Sequence, residues 1–221
     1  MTGPIAVLPL GATEQHGPHL PPETDTLLAT AAARELGASD VGTVRVLPAL
    51  AYGASGEHQA FEGTVSVGTE ALAGTIVELG RSVCDWADRL VVVNGHGGNV
   101  DALRRAVPLL RHEGRDAGWL PCRTSEDPTD THAGHAETSL LLHLHPGLVR
   151  VDLAVPGCVE PLPRILPALR EGGVVAVSPN GVLGDPTTAS ADEGRRMWAT
   201  LVDDARGRLE RWRPGEDGML R

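Results

Sequence analysis

The sequence predicts an α/β domain, a three-layer α/β/α sandwich with a mostly parallel sheet between helical layers. Three observations carry this. Short apolar runs alternate with longer amphipathic ones along the whole chain. The apolar runs lack the polar alternation of half-solvated strands, so they read as strands covered on both faces. No internal repeat and no low-complexity linker divides the chain, and 221 residues suffice for one full core, so residues 1–221 read as a single domain.

The elements follow in order. Ile5 to Leu10 is a buried-strand candidate that stops at Gly11. Thr24 to Leu36 reads as a helix, with Leu27, Leu28, Ala31, Ala32 and Leu36 on one face. Thr43 to Leu50 is a second strand. Leu72, Ile76, Leu79, Val83 and Trp86 recur at helical spacing. Leu90 to Val93 is a very apolar strand, and Val100, Leu103, Val107 and Leu110 mark the helix after it, with a kink expected at Pro108. Asp116 to Pro121 reads as a strand, and Ala136 to Leu144 as a short helix too apolar to be anything but buried. Val155 to Pro167, rich in proline, reads as a surface excursion, and Val174 to Val177 as a late strand. Ser190-Ala191-Asp192-Glu193 matches a capping box. It opens a last helix carrying Trp198, Val202, Ala205, Leu209 and Trp212.

Composition removes several classes of function. The formal charge is −10 and no basic stripe is visible, which argues against nucleic acid as a partner. All 19 basic residues are arginine. Schiff-base lysine chemistry and a Gly-Lys-Ser/Thr phosphate loop are therefore excluded. No apolar run reaches the ~18 to 20 residues of a membrane span. Met1 leads straight into a strand-like run, so no leader segment is expected. Cys84, Cys122 and Cys158 lie far apart without a C-x-x-C, which fits a reduced, cytoplasmic setting. Nine histidines are the feature left to explain.

Three strings concentrate them. Gly11 to Asp25, G-A-T-E-Q-H-G-P-H-L-P-P-E-T-D, lies between the first strand and the first helix, where α/β folds bind ligands. Glu14 and His16 are two apart and share a side in extended chain, and Asp25 arrives at the helix start. One imidazole with two carboxylates suits zinc, iron or manganese. Asn94-Gly95-His96-Gly97-Gly98-Asn99 turns a strand into a helix with a histidine at its apex. Its glycines let backbone approach a ligand and offer N–H groups to an oxyanion. His132-Ala133-Gly134-His135-Ala136-Glu137 heads the buried helix, where Glu137 needs a partner that a metal supplies. His132 and His135 are both candidates there. His58 sits in a Gly-rich loop and is a candidate pocket residue. His143, His145 and His112 read as structural or exposed. No G-x-S-x-G is present, which argues against a serine hydrolase.

Together with Tyr52-Gly53-Ala54-Ser55-Gly56-Glu57-His58, Phe61 to Ser66 and Gly181-Val182-Leu183-Gly184-Asp185-Pro186, these strings resemble the creatininase family of metal-dependent amidohydrolases over nearly the whole chain. The resemblance implies an α/β/α sandwich with two divalent ions per subunit, zinc or iron(II) with manganese as a further option, and a homo-oligomeric ring of dimers. It puts Glu14, Asp25 and His96 on one metal, and His16 with a bridging Asp25 on the second. Creatininase itself adds a glutamate two residues past the histidine of the glycine turn. Here that position is Gly98, so Glu137 is assigned as the replacing ligand. His132 is assigned as general acid, with an unperturbed pKa of ~6.5 suited to that role. His135 and His58 are assigned to the substrate, and Gly97 and Gly98 to the oxyanion.

Short length and the H-A-G-H-A-E-T-S string are most similar to the mycofactocin-system branch of the family. That resemblance implies a peptidase that removes a Val-Tyr-derived dipeptide from the C-terminus of a small modified precursor peptide. Pro121 to Thr131 lacks the tryptophans that close over creatinine, which fits a more open site. Two other readings stay open: a small-molecule C–N hydrolase (creatinine, formamide or lactam type) with the same metals, and a non-catalytic metal-binding subunit.

Overall fold

The computed structural model describes residues 3–38, 42–122, 125 and 127–221. Four strands, β1 (Ile5–Leu10), β2 (Val44–Val46), β3 (Arg89–Asn94) and β4 (Ala117–Pro121), form one all-parallel sheet in the order β2-β1-β3-β4. The helices are α1 (Thr24–Gly37), α2 (Thr69–Val83), α3 (Val100–His112), α4 (His135–Leu144), α5 (Leu162–Gly172) and α6 (Ala191–Arg211).

β1 is apolar and buried at all six positions and β3 is buried from Leu90 on, because both faces of the sheet are covered there, whereas edge strand β2 carries exposed Arg45; the side chains alternate between two cores. Val7, Val91, Val93 and Leu120 pack with Leu28 and Leu36 of α1, Leu140 and Leu141 of α4, and Trp198, Val202 and Leu209 of α6. Leu8, Leu90, Val92 and Trp119 pack on the opposite face with Leu72 and Ile76 of α2 and Leu103 and Leu110 of α3. These two layers around the sheet are the expected sandwich. After β1 the chain enters α1 on one face; after β3 it enters α3 on the other. A crevice therefore opens beyond Leu10 and Asn94, at the switch point where α/β sheets bind ligands.

Several boundaries differ from the sequence expectation. The second strand is only Val44–Val46; Pro48 has no N–H to give, and pairing resumes only where Leu50 bonds Pro9. Helix α2 stops at Val83. Its buried face is Leu72, Ala73, Ile76, Val77, Gly80 and Val83, whereas Leu79 and Trp86 are exposed. Val174 to Val177 is not a strand. Val174–Ala176 is a single 3-10 turn whose Val174 fills a small satellite core with Ile165 and Leu183. The proline-rich excursion ends early, because α5 begins at Leu162 with Pro163 in its first turn, where an N–H has no helical partner to lose.

Ser190 caps α6 as expected, its hydroxyl accepting from the Glu193 N–H. The reciprocal half of the box is absent: the Ser190 N–H goes to Ser139 Oγ, and the Glu193 carboxylate goes to His135. Trp198 is buried, and Trp212 donates to Asp116 and lies under the Arg89 guanidinium, so both are used inside the subunit. No helix among the described residues is long and apolar enough to cross a membrane.

Helices α4 and α6 approach closely at Gly194, where a Cβ would collide with the Ser139 carbonyl. Gly194→Ala is expected to lower stability by about 1 to 3 kcal/mol through overpacking. An unchanged urea midpoint would refute that account of the α4–α6 contact.

Candidate metal centre and its cavity

Each of the three histidine-bearing strings follows the carboxyl end of a strand or opens a helix at that end. Glu14 and His16 follow β1, Asp25 stands in the first turn of α1, and His96 follows β3. His132 and Glu137 flank the start of α4, where His132 is pinned by a two-way backbone pairing with Leu183. Asp25 can reach the strand ends because Gly95 has no side chain; a Cβ there would collide with the Asp25 carbonyl. Asn94 clasps His96 from below, its amide donating to the His96 carbonyl at 2.7 Å. Asp25, His96, His132 and Glu137 line a cavity of about 980 Å³. Its walls include Glu57, His58, Gly97, Gly98 and, from α5, Leu162, Leu166 and Leu169.

All five expected ligands converge. His96 Nδ1 lies 3.2 Å from Glu14 Oε1 and 3.4 Å from Asp25 Oδ2. His16 Nε2 lies 3.2 Å from Asp25 Oδ1 and 3.9 Å from Glu137 Oε2. Two donors held ~2.1 Å from one zinc at a tetrahedral angle stand ~3.4 Å apart. The three spacings of 3.2 to 3.4 Å match that separation, and Glu137 stands half an ångström further off. Asp25 turns one oxygen to each histidine, the arrangement a bridging carboxylate needs. Both oxygens of Glu14 and Oδ2 of Asp25 are buried without a hydrogen-bond donor among the described residues. Buried anionic oxygens in that condition demand a cation. The donor set therefore fits metal ions.

The ring nitrogens agree. His16 Nδ1 lies 3.1 Å from the Glu14 carbonyl oxygen, and His96 Nε2 lies 3.2 Å from that of Ala54. A carbonyl accepts only, so each of those nitrogens carries the proton. The lone pairs at His16 Nε2 and His96 Nδ1 are left facing the carboxylates, as in histidine ligands oriented by an outer partner. Without a metal, charge must be balanced by protons. Burial opposes a charged His16, but Asp25, Glu137 and Glu14 overcome it and push its pKa up to about 9. His96 is likewise raised, burial being outweighed by Glu14, Glu57 and Asp25.

Glu137 is buried, and burial pushes its pKa up to about 7 against the pull of His16. Its Oε2 accepts from the Ala133 N–H at 2.7 Å. Ala133 has a left-handed backbone, φ 51°, uncommon for a residue with a Cβ and held here by the structure around it. Gly98, where creatininase carries a glutamate, has no room for a side chain: a Cβ would collide with the Ala54 carbonyl and His96 Nε2 and would lie 2.6 Å from Glu57 Oε1.

His132 is buried, with Nδ1 3.8 Å from Glu14 Oε1 and Nε2 2.9 Å from the Gln15 carbonyl oxygen. Burial, then neighbouring His16 and His58, hold its pKa well below the ordinary histidine value. His58 also enters the centre, its Nε2 3.4 Å from Glu14 Oε1. His135 does not. Its ring binds Thr188 Oγ1 at 2.8 Å and Glu193 Oε2 at 3.1 Å, beside the start of α6, and it lines no part of the cavity. His19 is buried against Thr138 Oγ1. Burial pushes the Cys122 thiol up to about 12, which removes it as a nucleophile. Sequence reasoning missed two residues here. Gln15 is buried among the histidines, and Glu57 reaches to 3.5 Å from His96 Nε2. Of the stretch from Pro121 to Thr131, residues 123, 124 and 126 lie outside the described residues.

Comparison with known proteins agrees with this geometry. The family model described as creatininase, creatinine amidohydrolase, matches residues 1–208. A mycofactocin precursor peptide peptidase of Mycobacterium tuberculosis (strain CDC 1551 / Oshkosh) is 60% identical, with 99% of this chain and 90% of that protein covered. A creatinine amidohydrolase of Pseudomonas putida is 31% identical, over 90% of this chain and 85% of that one. Among solved structures, one described as creatininase Mn superposes with a TM-score of 0.77 at 29% identity, covering 96% of this chain and 91% of that chain. A mutant creatininase described as Zn-Zn type superposes with the same score, identity and coverage. With a family model spanning nearly its whole length and a shared fold, the chain belongs to the creatininase family and is a hydrolase of amide bonds.

Proposed function

We propose that the chain is a two-metal peptidase that releases the Val-Tyr-derived dipeptide from the C-terminus of the modified mycofactocin precursor peptide. The observation that carries the metal half is the division of Asp25 between His16 and His96 at ligand-to-ligand distances. In this reading Glu14, Asp25 and His96 hold one ion, and His16, Asp25 and Glu137 the other, the ions being zinc or iron(II), or manganese. The substrate half is supported by 60% identity to a protein named for that peptide and by a cavity far larger than one small ring requires. Three free cysteines fit a reducing, cytoplasmic setting.

The chemistry supplied by two divalent ions at such a site is activation of water near neutral pH and polarisation of the amide carbonyl. The protein's own groups do the rest. The N–H groups of Gly97 and Gly98, residues of the cavity wall just before α3, are assigned to the developing oxyanion. His132 keeps Nε2–H on the Gln15 carbonyl, so Nδ1 is free to take the proton of the attacking water. It returns that proton to the departing nitrogen, which cannot leave as an amide anion. Leu162, Leu166 and Leu169 give peptide side chains an apolar wall.

The test is incubation of metal-loaded protein with the modified precursor, read by mass spectrometry before and after chelation. The expected result is loss of one C-terminal dipeptide mass, abolished by the chelator. An intact peptide in the presence of fully metal-loaded protein would overturn the substrate, and cleavage by protein free of transition metal would overturn the metal.

A further inference from the structure

Gln15 lies between two of the proposed ligands in sequence, yet its side chain faces away from both. Its hydrogen bonds form a closed account. Oε1 accepts from the Gly17 N–H at 2.9 Å. Nε2 has two hydrogens and two acceptors for them: the Gly181 carbonyl oxygen at 3.1 Å and His58 Nδ1 at 2.8 Å. A Gln15 amide turned the other way would set its oxygen against the Gly181 carbonyl and its NH₂ against the Gly17 N–H. The orientation is therefore determined. Because Gln15 Nε2 donates, His58 Nδ1 must be the bare nitrogen, and the His58 proton sits on Nε2. That is the nitrogen 3.4 Å from Glu14 Oε1.

The main chain of the same residue settles a second ring. The Gln15 carbonyl accepts from His132 Nε2 at 2.9 Å, so His132 Nδ1 is bare and is the nitrogen nearer Glu14. The 3.1 Å approach of Gln15 Nε2 to His132 Nε2 is then contact between two donors, since both amide hydrogens are already placed.

We propose that Gln15 is a positioning residue that sets the tautomers of His58 and His132 in opposite senses toward the centre: His58 presents a proton to Glu14, and His132 presents a lone pair. One consequence concerns Glu14, His58 and His132, whose donor atoms lie within 4.8 Å of one another. The trio has the spacing of a metal site but is not one, because His58 has no lone pair to offer there. His58 instead turns its protonated nitrogen toward Glu14, 3.4 Å from Oε1, an electrostatic contact that falls short of a hydrogen bond. The inference stands on hydrogen bonding alone and holds whichever amide the enzyme cleaves.

The test reads tautomers directly, by long-range proton–nitrogen correlation NMR of the metal-free, ¹⁵N-histidine-labelled chain. In the unaltered protein both His58 and His132 are expected as Nε2–H; a His58 protonated on Nδ1 would overturn the proposal. In Gln15→Met the side-chain donor is lost but the main-chain carbonyl remains. His58 is then expected to average between tautomers while His132 stays fixed, a split that general loosening of the site would not produce. Zinc affinity, measured by chelator competition, is expected to fall ~10- to 100-fold as the ring beside Glu14 loses its fixed tautomer. Gln15→Glu offers His58 Nδ1 an acceptor and is expected to move the His58 proton onto Nδ1. His58 remaining Nε2–H in both variants would overturn the assignment.

Discussion

Glu137→Gln is expected to leave a folded protein that binds one metal instead of two and has lost most of its activity. The argument is one of charge. Glu14, Asp25 and Glu137 bring three negative charges, and a shared hydroxide would bring the fourth that two divalent cations require. Among the described residues, the carboxylate oxygens within 4 Å of His16 Nε2 are Asp25 Oδ1 at 3.2 Å and Glu137 Oε2 at 3.9 Å. Without Glu137 the second ion keeps one imidazole and half of a shared carboxylate. The first set, Glu14, Asp25 and His96, is untouched. The loss in rate should exceed the ~10- to 100-fold that removal of an outer partner costs. Elemental analysis together with turnover decides the matter: two equivalents with normal turnover would remove Glu137 from the ligand set.

Folding can be checked separately. Glutamine keeps an oxygen to accept the Ala133 N–H. The pKa of Glu137 is raised to about 7 by burial, so the folded, metal-free protein holds this proton more tightly than the unfolded chain. Between the ordinary carboxylate value and about pH 7 the native state binds the extra proton, so stability falls as pH rises through that window. Glu137→Gln removes the group that titrates. The metal-free variant should therefore gain stability relative to the unaltered protein on going from pH 5 to pH 8, and denaturant melts at the two values check it.

Such a site was largely legible in the sequence because each of its strings lies where a strand ends or a helix starts. The apolar runs that became β1 and β3 are unbroken, so their ends, and with them the positions of Glu14, His16 and His96, could be read directly. That Glu137 faces the centre from the head of α4 could also be anticipated, since a buried glutamate at the head of an apolar helix needs a partner. What could not be read was anything fixed by contacts remote in sequence. Gln15 is polar and unremarkable in its string; its meaning comes from His58, 43 residues away, and Gly181, 166 residues away. His135 was drawn toward the substrate by its neighbours in sequence, but Thr188 and Glu193 claim it instead. In the fold, helix α5 was hidden by three prolines that suggested loop. The β-branched Val174 to Val177 suggested strand, when its task is to fill a small core against α5.

His132→Ala is expected to bind both metals and to lose rate by ~10²- to 10⁴-fold, the range for a general acid–base group. Backbone pairing with Leu183 holds residue 132 whatever its side chain, so the centre should survive the change. The ring has one nitrogen committed to the Gln15 carbonyl and one facing the centre at 3.8 Å from Glu14 Oε1. The proposal gives that nitrogen proton transfer and leaves the metals to Glu14, His16, Asp25, His96 and Glu137. Two controls separate proton transfer from structure. Added imidazole should restore part of the lost rate, because a small base can enter the space vacated in a cavity of about 980 Å³. His135→Ala should turn over normally, since that ring is bound at α6 outside the cavity. A His132→Ala protein that drops a metal would make His132 a ligand, and loss of rate in His135→Ala with His132 dispensable would exchange the roles of the two.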